Sequence, residues 1–177
     1  MHRVLGEVIT RLHEARPVGL CPWSVADRLQ ARLDDPPDAC PSALVRSIRD
    51  LTAGWLPLLR GDVFVHGDWG TSNVLARIDD PMYVLVIIDF EDAHLGDPAE
   101  DFRWQGMAGP TSTQLSSMLA GYGRDLGPHL AERIGVGAAE LCLDILGWDL
   151  SEAEKRRSHG ASRATLQALV DGWRPGL

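Results

Sequence analysis

The strongest β-forming run in the chain, Tyr83-Val84-Leu85-Val86-Ile87-Ile88, ends directly on Asp89-Phe90-Glu91. Two shorter runs, Val63-Phe64-Val65 and Val74-Leu75-Ala76, precede it, and Asp79-Asp80-Pro81 reads as a hairpin turn between the last two. The first two runs bracket His66-Gly67-Asp68-Trp69-Gly70-Thr71-Ser72-Asn73. The polar residues with the most chemical potential therefore gather at strand ends of one small β patch. Such positions hold side chains rigidly while leaving them accessible.

Around this patch the spacing is helical. Val4, Leu5, Val8, Ile9 and Leu12 recur on one face and predict a helix to about Ala15. Pro17, Gly19 and Pro22 make a loop, after which Ser24 is placed to cap a helix over 25–33. Asp34-Asp35-Pro36-Pro37-Asp38 is surface loop, and Ser42 is placed to cap a third helix carrying Leu44, Ile48, Leu51 and Trp55. After Pro98 helical patterns return over 99–106, 112–126, 129–146 and 151–173. No repeat, low-complexity tract or second composition regime divides the chain. The expectation is one α+β, mostly helical domain over 1–177.

Asp68, Asn73 and Asp89 form a set with a chemical meaning. Phosphoryl transfer from a nucleotide needs a carboxylate to take the nucleophile's proton and oxygen ligands to hold Mg²⁺ on the phosphates. In isolation, Asp68 and Asn73 would read as turn formers between strands. The added His66-Gly67, the β run on each side, and Ile87-Ile88-Asp89-Phe90 beyond favour the catalytic reading.

These segments, with Glu91-Asp92 and Gly96-Asp97-Pro98 followed by Asp101-Phe102, resemble the aminoglycoside/choline phosphotransferase family of kinase-like enzymes. Arg11-Leu12-His13-Glu14 is similar to the end of that family's helix after the hinge between its lobes. The resemblance covers nearly the whole chain and implies a protein-kinase-like C-terminal lobe with a short β patch, the N-terminal lobe being absent. It implies Asp68 as catalytic base, Asn73 and Asp89 as Mg²⁺ and nucleotide ligands, and His66, Gly67 and Asp97 as structural support. Asp97 would accept backbone N–H groups around the catalytic loop or cap the helix near Pro98. The cofactors implied are Mg²⁺ and ATP or GTP. The partner is a small-molecule hydroxyl acceptor, aminoglycoside-like or another polar natural product, with choline-like or homoserine-like alcohols next.

Of the 17 basic residues only Lys155 is a lysine, far downstream of the loop. No lysine is placed to clamp nucleotide phosphates as kinases do from their first lobe. A chain of this kind is expected to be weakly active alone, to self-associate, or to use a separately encoded N-terminal lobe. The competing reading is a non-catalytic ligand- or partner-binding remnant.

Composition excludes other classes. A net charge of −8 disfavours nucleic-acid binding, which needs a basic face. Asp125, Glu132, Glu140 and Asp144 on the later helices would meet a cationic acceptor or form solvated helix faces. Cys21, Cys40 and Cys142 lack Cys-x-x-Cys pairing and read as reduced thiols. No apolar run reaches membrane-span length and the N-terminus lacks a signal-peptide core, so the expected location is cytoplasmic, without a membrane partner. No P-loop, G-x-S-x-G elbow or paired-histidine metal motif occurs, and Gly135-Val136-Gly137 lacks the third glycine of a dinucleotide fingerprint.

Overall fold

The computed structural model describes residues 1–17, 24–77, 79–80, 84–108 and 113–175. Seven α-helices among these residues surround two small β ribbons: α1 (His2–Leu12), α2 (Val25–Asp34), α3 (Ser42–Ala53), α4 (Arg103–Met107), α5 (Gln114–Tyr122), α6 (Leu130–Leu146) and α7 (Glu152–Val170). The strands are β1 (Val63–Val65), β2 (Val74–Ala76), β3 (Val84–Ile87) and β4 (His94–Gly96). The fold is thus mostly helical with small sheets. No helix of the described residues is long and apolar enough to cross a membrane.

Both ribbons are antiparallel and two-stranded. In one, Val74 pairs with Ile87 across β2 and β3; in the other, Val63 pairs with Gly96 and Val65 with His94 across β1 and β4. Sequence patterning misses β4, because three residues reading His-Leu-Gly are too few to establish alternation. The Asp79-Asp80-Pro81 turn falls partly outside the described residues, as do Gly19, Cys21, Pro22, Tyr83 and Ser112.

Local signals set several helix starts. Ser24 accepts the N–H of Asp27 at 3.2 Å, satisfying one of the free donors at the start of α2. Ser151 and Glu154 close a capping box on α7. Ser42 does not cap α3: Pro41 takes the N-cap position, which shifts the start by one residue. The opening helix ends at Leu12, three residues short of the expected Ala15, and the chain then turns His13 inward. Past Asp97, residues Pro98–Phe102 form a tight 3-10 turn before α4, where periodicity alone suggests one continuous helix.

Two apolar clusters share α6, which is buried along nearly its whole length. One cluster joins α2, α3, α6 and α7 through Leu29, Ile48, Trp55, Leu143 and Leu166. The other joins α1, α5 and the β patch through Leu5, Ile9, Trp69, Phe102 and Ile134. A helix buried on nearly every face, with its buried Arg133 and Glu140 in ion pairs, serves as a central post rather than a surface element. Against it, α1 and α5 meet almost backbone to backbone. A Cβ on Gly6 would lie 2.0 Å from the carbonyl oxygen of Met118, and one on Gly121 would lie 1.8 Å from that of Arg3. This close approach fixes where His13 stands.

Candidate active site

The segment from His66 to Asn73 leaves β1 and re-enters β2, so both ends are anchored by ribbon pairing. Gly67 has φ +81, the left-handed region that favours glycine, and a Cβ there would lie 2.3 Å from the carbonyl oxygen of Asp92. The loop therefore packs directly on the residues that follow Asp89.

Asp68 is half-buried, and both of its carboxylate oxygens accept hydrogen bonds. Asn73 Nδ2 donates to Oδ2 at 2.9 Å and also to the Asp68 carbonyl at 2.7 Å. From α4, Trp104 Nε1 donates to Oδ1 at 2.5 Å. A carboxylate offers about four lone-pair sites, so two donors hold it in place and still leave it able to accept a proton. The link between Asp68 and Asn73 spans the five residues that separate them in sequence.

Asp89 enters through strand register. Ile88 N donates to the Asn73 carbonyl at 3.0 Å, one step beyond the Val74–Ile87 pair, which sets Asp89 beside Asn73 at the same end of the ribbon. Asp89 is exposed and adopts φ +66, an uncommon conformation for a residue with a Cβ. It has no hydrogen-bond or ion-pair partner among the described residues. Asn73 is buried, and since its amide nitrogen is engaged by Asp68, its carbonyl oxygen remains for a ligand.

His66 is fully buried and ties these pieces together. Its Nδ1 accepts the N–H of Asp68 at 3.3 Å, which leaves Nε2 as the protonated nitrogen, 2.9 Å from the Ile88 carbonyl. Its ring also packs against Phe90, with centroids 4.8 Å apart, and edge-on to Trp69. The histidine thus bridges the loop bearing Asp68 to the strand end bearing Asp89.

Below the loop lies a layer of buried charge. Asp101 accepts the N–H of His66 at 2.9 Å, the N–H of Gly67 at 2.8 Å, and a bond with His13 Nε2 at 2.9 Å. Burial alone would raise its pKa, but His13 and the two backbone donors outweigh burial and hold it below the ordinary carboxylate value. Asp97 accepts the N–H of Arg60 and Ala99, and takes a two-point grip from Arg133 at 2.8 and 2.9 Å. The division of labour is specific: Asp97 caps the turn after it and anchors α6, while Asp101 receives the N–H groups of His66 and Gly67. Glu100 reaches back to the N–H of Asp97 and bonds His94 and Arg28.

Three of these residues are not legible as site residues in the sequence. Asp101 is visible only as part of a motif, His13 only as a helix end, and Trp104 not at all. The spacing of Asp101 four residues after Asp97 gives a faint signal; an indole directed at a carboxylate 36 residues away gives none.

The acids Glu140 and Asp144 on α6 are already engaged. Arg103 bonds Glu140 at 2.6 Å with Arg28 beside it, and Arg32 pairs with Asp144. Even so, burial outweighs the two arginines and raises the pKa of Glu140. Among the described residues, no three His, Cys, Asp or Glu side chains are grouped to hold a metal ion. The oxygen donors beside Asp68 are instead the pair Asn73 and Asp89, a donor set suited to Mg²⁺, which keeps several waters and relies on phosphate oxygens for the rest of its shell.

Comparison with known proteins bears on the fold and the family. No curated protein matches the sequence. Among solved structures, the macrolide 2'-phosphotransferase MphH from Brachybacterium faecium is similar at 21% identity and a TM-score of 0.57, covering 93% of this chain and 60% of that one. APH(2")-IIia, solved with GDP and kanamycin, is similar at 17% identity and a TM-score of 0.62, covering 96% of this chain and 61% of that one. Spectinomycin phosphotransferase APH(9)-Ia, solved with ADP and spectinomycin, has 16% identity and a TM-score of 0.50, covering 94% of this chain and 60% of that one. The chain spans about 60% of the length of these structures. At such identities the likeness establishes a kinase-like fold. The profile of the phosphotransferase enzyme family matches residues 1–140, and this chain belongs to that family.

Proposed function

We propose that the chain is the C-terminal lobe of an ATP- or GTP-dependent phosphotransferase acting on a hydroxyl of a small molecule. The observation that carries the reading is the joining of Asp68 to Asn73, and of Asn73 to the strand end of Asp89, at one edge of the β patch. Asp68 is the catalytic base. Its carboxylate orients the acceptor hydroxyl and takes its proton as the hydroxyl oxygen bonds to the terminal phosphorus and the nucleoside diphosphate leaves. Trp104 and Asn73 keep that carboxylate aimed. Asn73 and Asp89 would hold Mg²⁺, which supplies neutralising charge to the nucleotide phosphates. His66, Gly67 and Asp97 hold the loop and its surroundings in shape.

The solved relatives with GDP and ADP support nucleotide use, and those with kanamycin and spectinomycin support a small polar acceptor. Leu75, Val86, Ile88 and Phe90 are exposed apolar residues around the Asp89 strand end. That surface favours self-association or contact with a separately encoded lobe.

The test is phosphate transfer from labelled ATP or GTP to a panel of hydroxylated acceptors that includes kanamycin. Transfer lost in Asp68→Ala supports the reading, whereas near wild-type transfer in that variant removes Asp68 as base.

A further inference from the structure

Four histidines are buried among the described residues, His13, His66, His94 and His159, and the groups facing their ring nitrogens divide them. His66 accepts at Nδ1 and donates at Nε2, so one ring proton satisfies it. One proton also serves His13, because the Tyr122 hydroxyl can donate to Nδ1 while Nε2 faces Asp101. His159 Nε2 has no partner. His94 differs from all three. Its Nδ1 lies 2.7 Å from the Asp92 carbonyl and its Nε2 lies 3.0 Å from Glu100 Oε2, so both nitrogens face acceptors. A carbonyl has no proton to give, and only an imidazolium donates at both nitrogens.

The surroundings keep that second proton on the ring. Glu100 Oε2 also takes Arg28 at 3.2 Å, and Oε1 takes the N–H of Asp97 at 3.0 Å, so donors surround the carboxylate. Across the β1–β4 ribbon, Val65 brings no charge to His94. Arg28, from α2, is the cation facing the ring, and Glu140 of α6 stands behind it, 3.6 Å from Arg28 Nε. Burial and Arg28 would lower the pKa of His94, yet Glu100 and the Asp92 carbonyl outweigh them and raise it. Gly96 leaves the space for the pair: a Cβ there would lie 2.6 Å from Glu100 Oε1 and 2.8 Å from His94 Nε2.

Asp92 stands three residues after Asp89, and its carbonyl oxygen is also the atom on which Gly67 packs, directly before Asp68. His94 therefore grips the backbone where the two loops touch. We infer that the His94 proton latches the Asp89–Asp92 segment onto Glu100, and that losing it frees the segment and weakens Mg·nucleotide binding at Asp89. A neutral ring turns a lone pair toward one of its two oxygens, so one of the two bonds breaks and the connection from Asp92 to α2 opens. The latch is closed in acid and opens as pH rises through the raised pKa of the histidine. The inference rests on the phosphotransfer reading for the role of Asp89, but the latch itself is read without nucleotide.

The experiment is ¹H–¹⁵N spectroscopy of the whole chain between about pH 6 and pH 9, following histidine ring nitrogens and backbone amides. His94→Gln assigns the His94 ring, and the Trp148 indole, which bonds Asp144, is the control for intact folding. The ring is expected to hold both protons at the ordinary histidine value, with the amides of Phe90, Asp92 and Gly67 moving at its midpoint. Glu100→Gln keeps an acceptor oxygen and removes the charge, so it should lower that midpoint and carry the amide shifts down with it. By calorimetry, the Mg·ADP affinity of wild type relative to His94→Gln should fall about fivefold across the same window, a ratio that cancels the nucleotide's own titration.

A His94 ring with a single proton below the ordinary value overturns the inference, as do amides that stay still while the ring titrates. So does a Glu100→Gln midpoint equal to that of wild type, or an affinity ratio constant with pH. If Asp68→Ala abolishes transfer while the amides ignore the His94 ring, phosphotransfer stands and this inference alone falls. If ring, amides and affinity ratio change together in a protein that transfers no phosphate, the latch stands and phosphotransfer falls.

Discussion

His13, at the end of the opening helix, and Asp101, just past the second ribbon, meet at 2.9 Å in a site closed to solvent. Asp101 Oδ2 accepts from both His13 and the N–H of His66, so one buried carboxylate joins α1 to the loop that carries Asp68. His13 in turn bonds the Tyr122 hydroxyl at 2.9 Å, extending the connection to α5. The position of Asp68, the proposed base, thus depends on a contact made 88 residues apart in sequence.

Replacing Asp101 by Asn should strand at least one of the donors now facing it. Each buried donor left unpaired costs about 1–3 kcal/mol, so denaturant unfolding should show a loss of that size or larger. Any transfer activity should fall as well, because the N–H groups of His66 and Gly67 flank Asp68. A variant as stable as wild type would mean that water replaces the carboxylate.

Asp101 also predicts an acid dependence. Its folded pKa lies below the ordinary 3.8, so the folded state holds its proton less tightly than the unfolded one. Its contribution is complete above about pH 3.8 and is lost as pH falls through the lower folded value. Thermal midpoints of wild type and Asp101→Asn should therefore differ at neutral pH and converge in acid.

His94 carries the opposite sign. Burial would lower its pKa, but the Glu100 carboxylate and the Asp92 carbonyl raise it above 6.5 overall. Its contribution is complete below that value and is lost as pH rises through the folded pKa. Stability measured across neutrality should decline on the alkaline side in wild type and be flatter in His94→Gln.

Asp97→Ala should be the most damaging single change in the charged layer. It leaves the Arg133 guanidinium, 1% exposed on its side chain, without its two-point partner. Breaking a buried pair from one side costs about 3–5 kcal/mol. Asp97→Ala paired with Arg133→Met should recover part of that loss in urea unfolding, since the uncompensated charge is gone.

Gly67→Ala tests the loop geometry. The substitution meets both a left-handed φ and the Asp92 carbonyl, so about 1–3 kcal/mol of stability should be lost. Gly160→Ala, at a helical glycine with open space around it, is the control and should be neutral or slightly stabilising.

Much of this molecule is legible without its structure. Apolar spacing locates the helices because a helix buried on one face must repeat its apolar residues near every 3.6 positions. Side-chain capping names Ser24 because the free N–H groups of a first turn need a nearby oxygen, whereas Ser42, named on the same ground, yields the cap position to Pro41. The β patch is legible in Val63–Val65 and in the run to Ile88, since β-branched residues concentrate in strands. The Asp68–Asn73 spacing, with Asp89 at a strand end, supplies the candidate site itself.

What the sequence could not decide is which groups meet across the fold. Nothing local shows that Asp101 rather than Asp97 receives the loop N–H groups, that His13 lies beneath the loop, or that Trp104 donates to Asp68. These contacts join residues tens of positions apart, held together by the packing of both apolar clusters on α6. The sequence by itself determined the elements and the chemistry offered by the loop, because both arise from neighbours along the chain. The aim of Asp68 was decided by tertiary structure alone, because packing α1 on α5 and α4 behind the loop is what sets the distances between distant side chains.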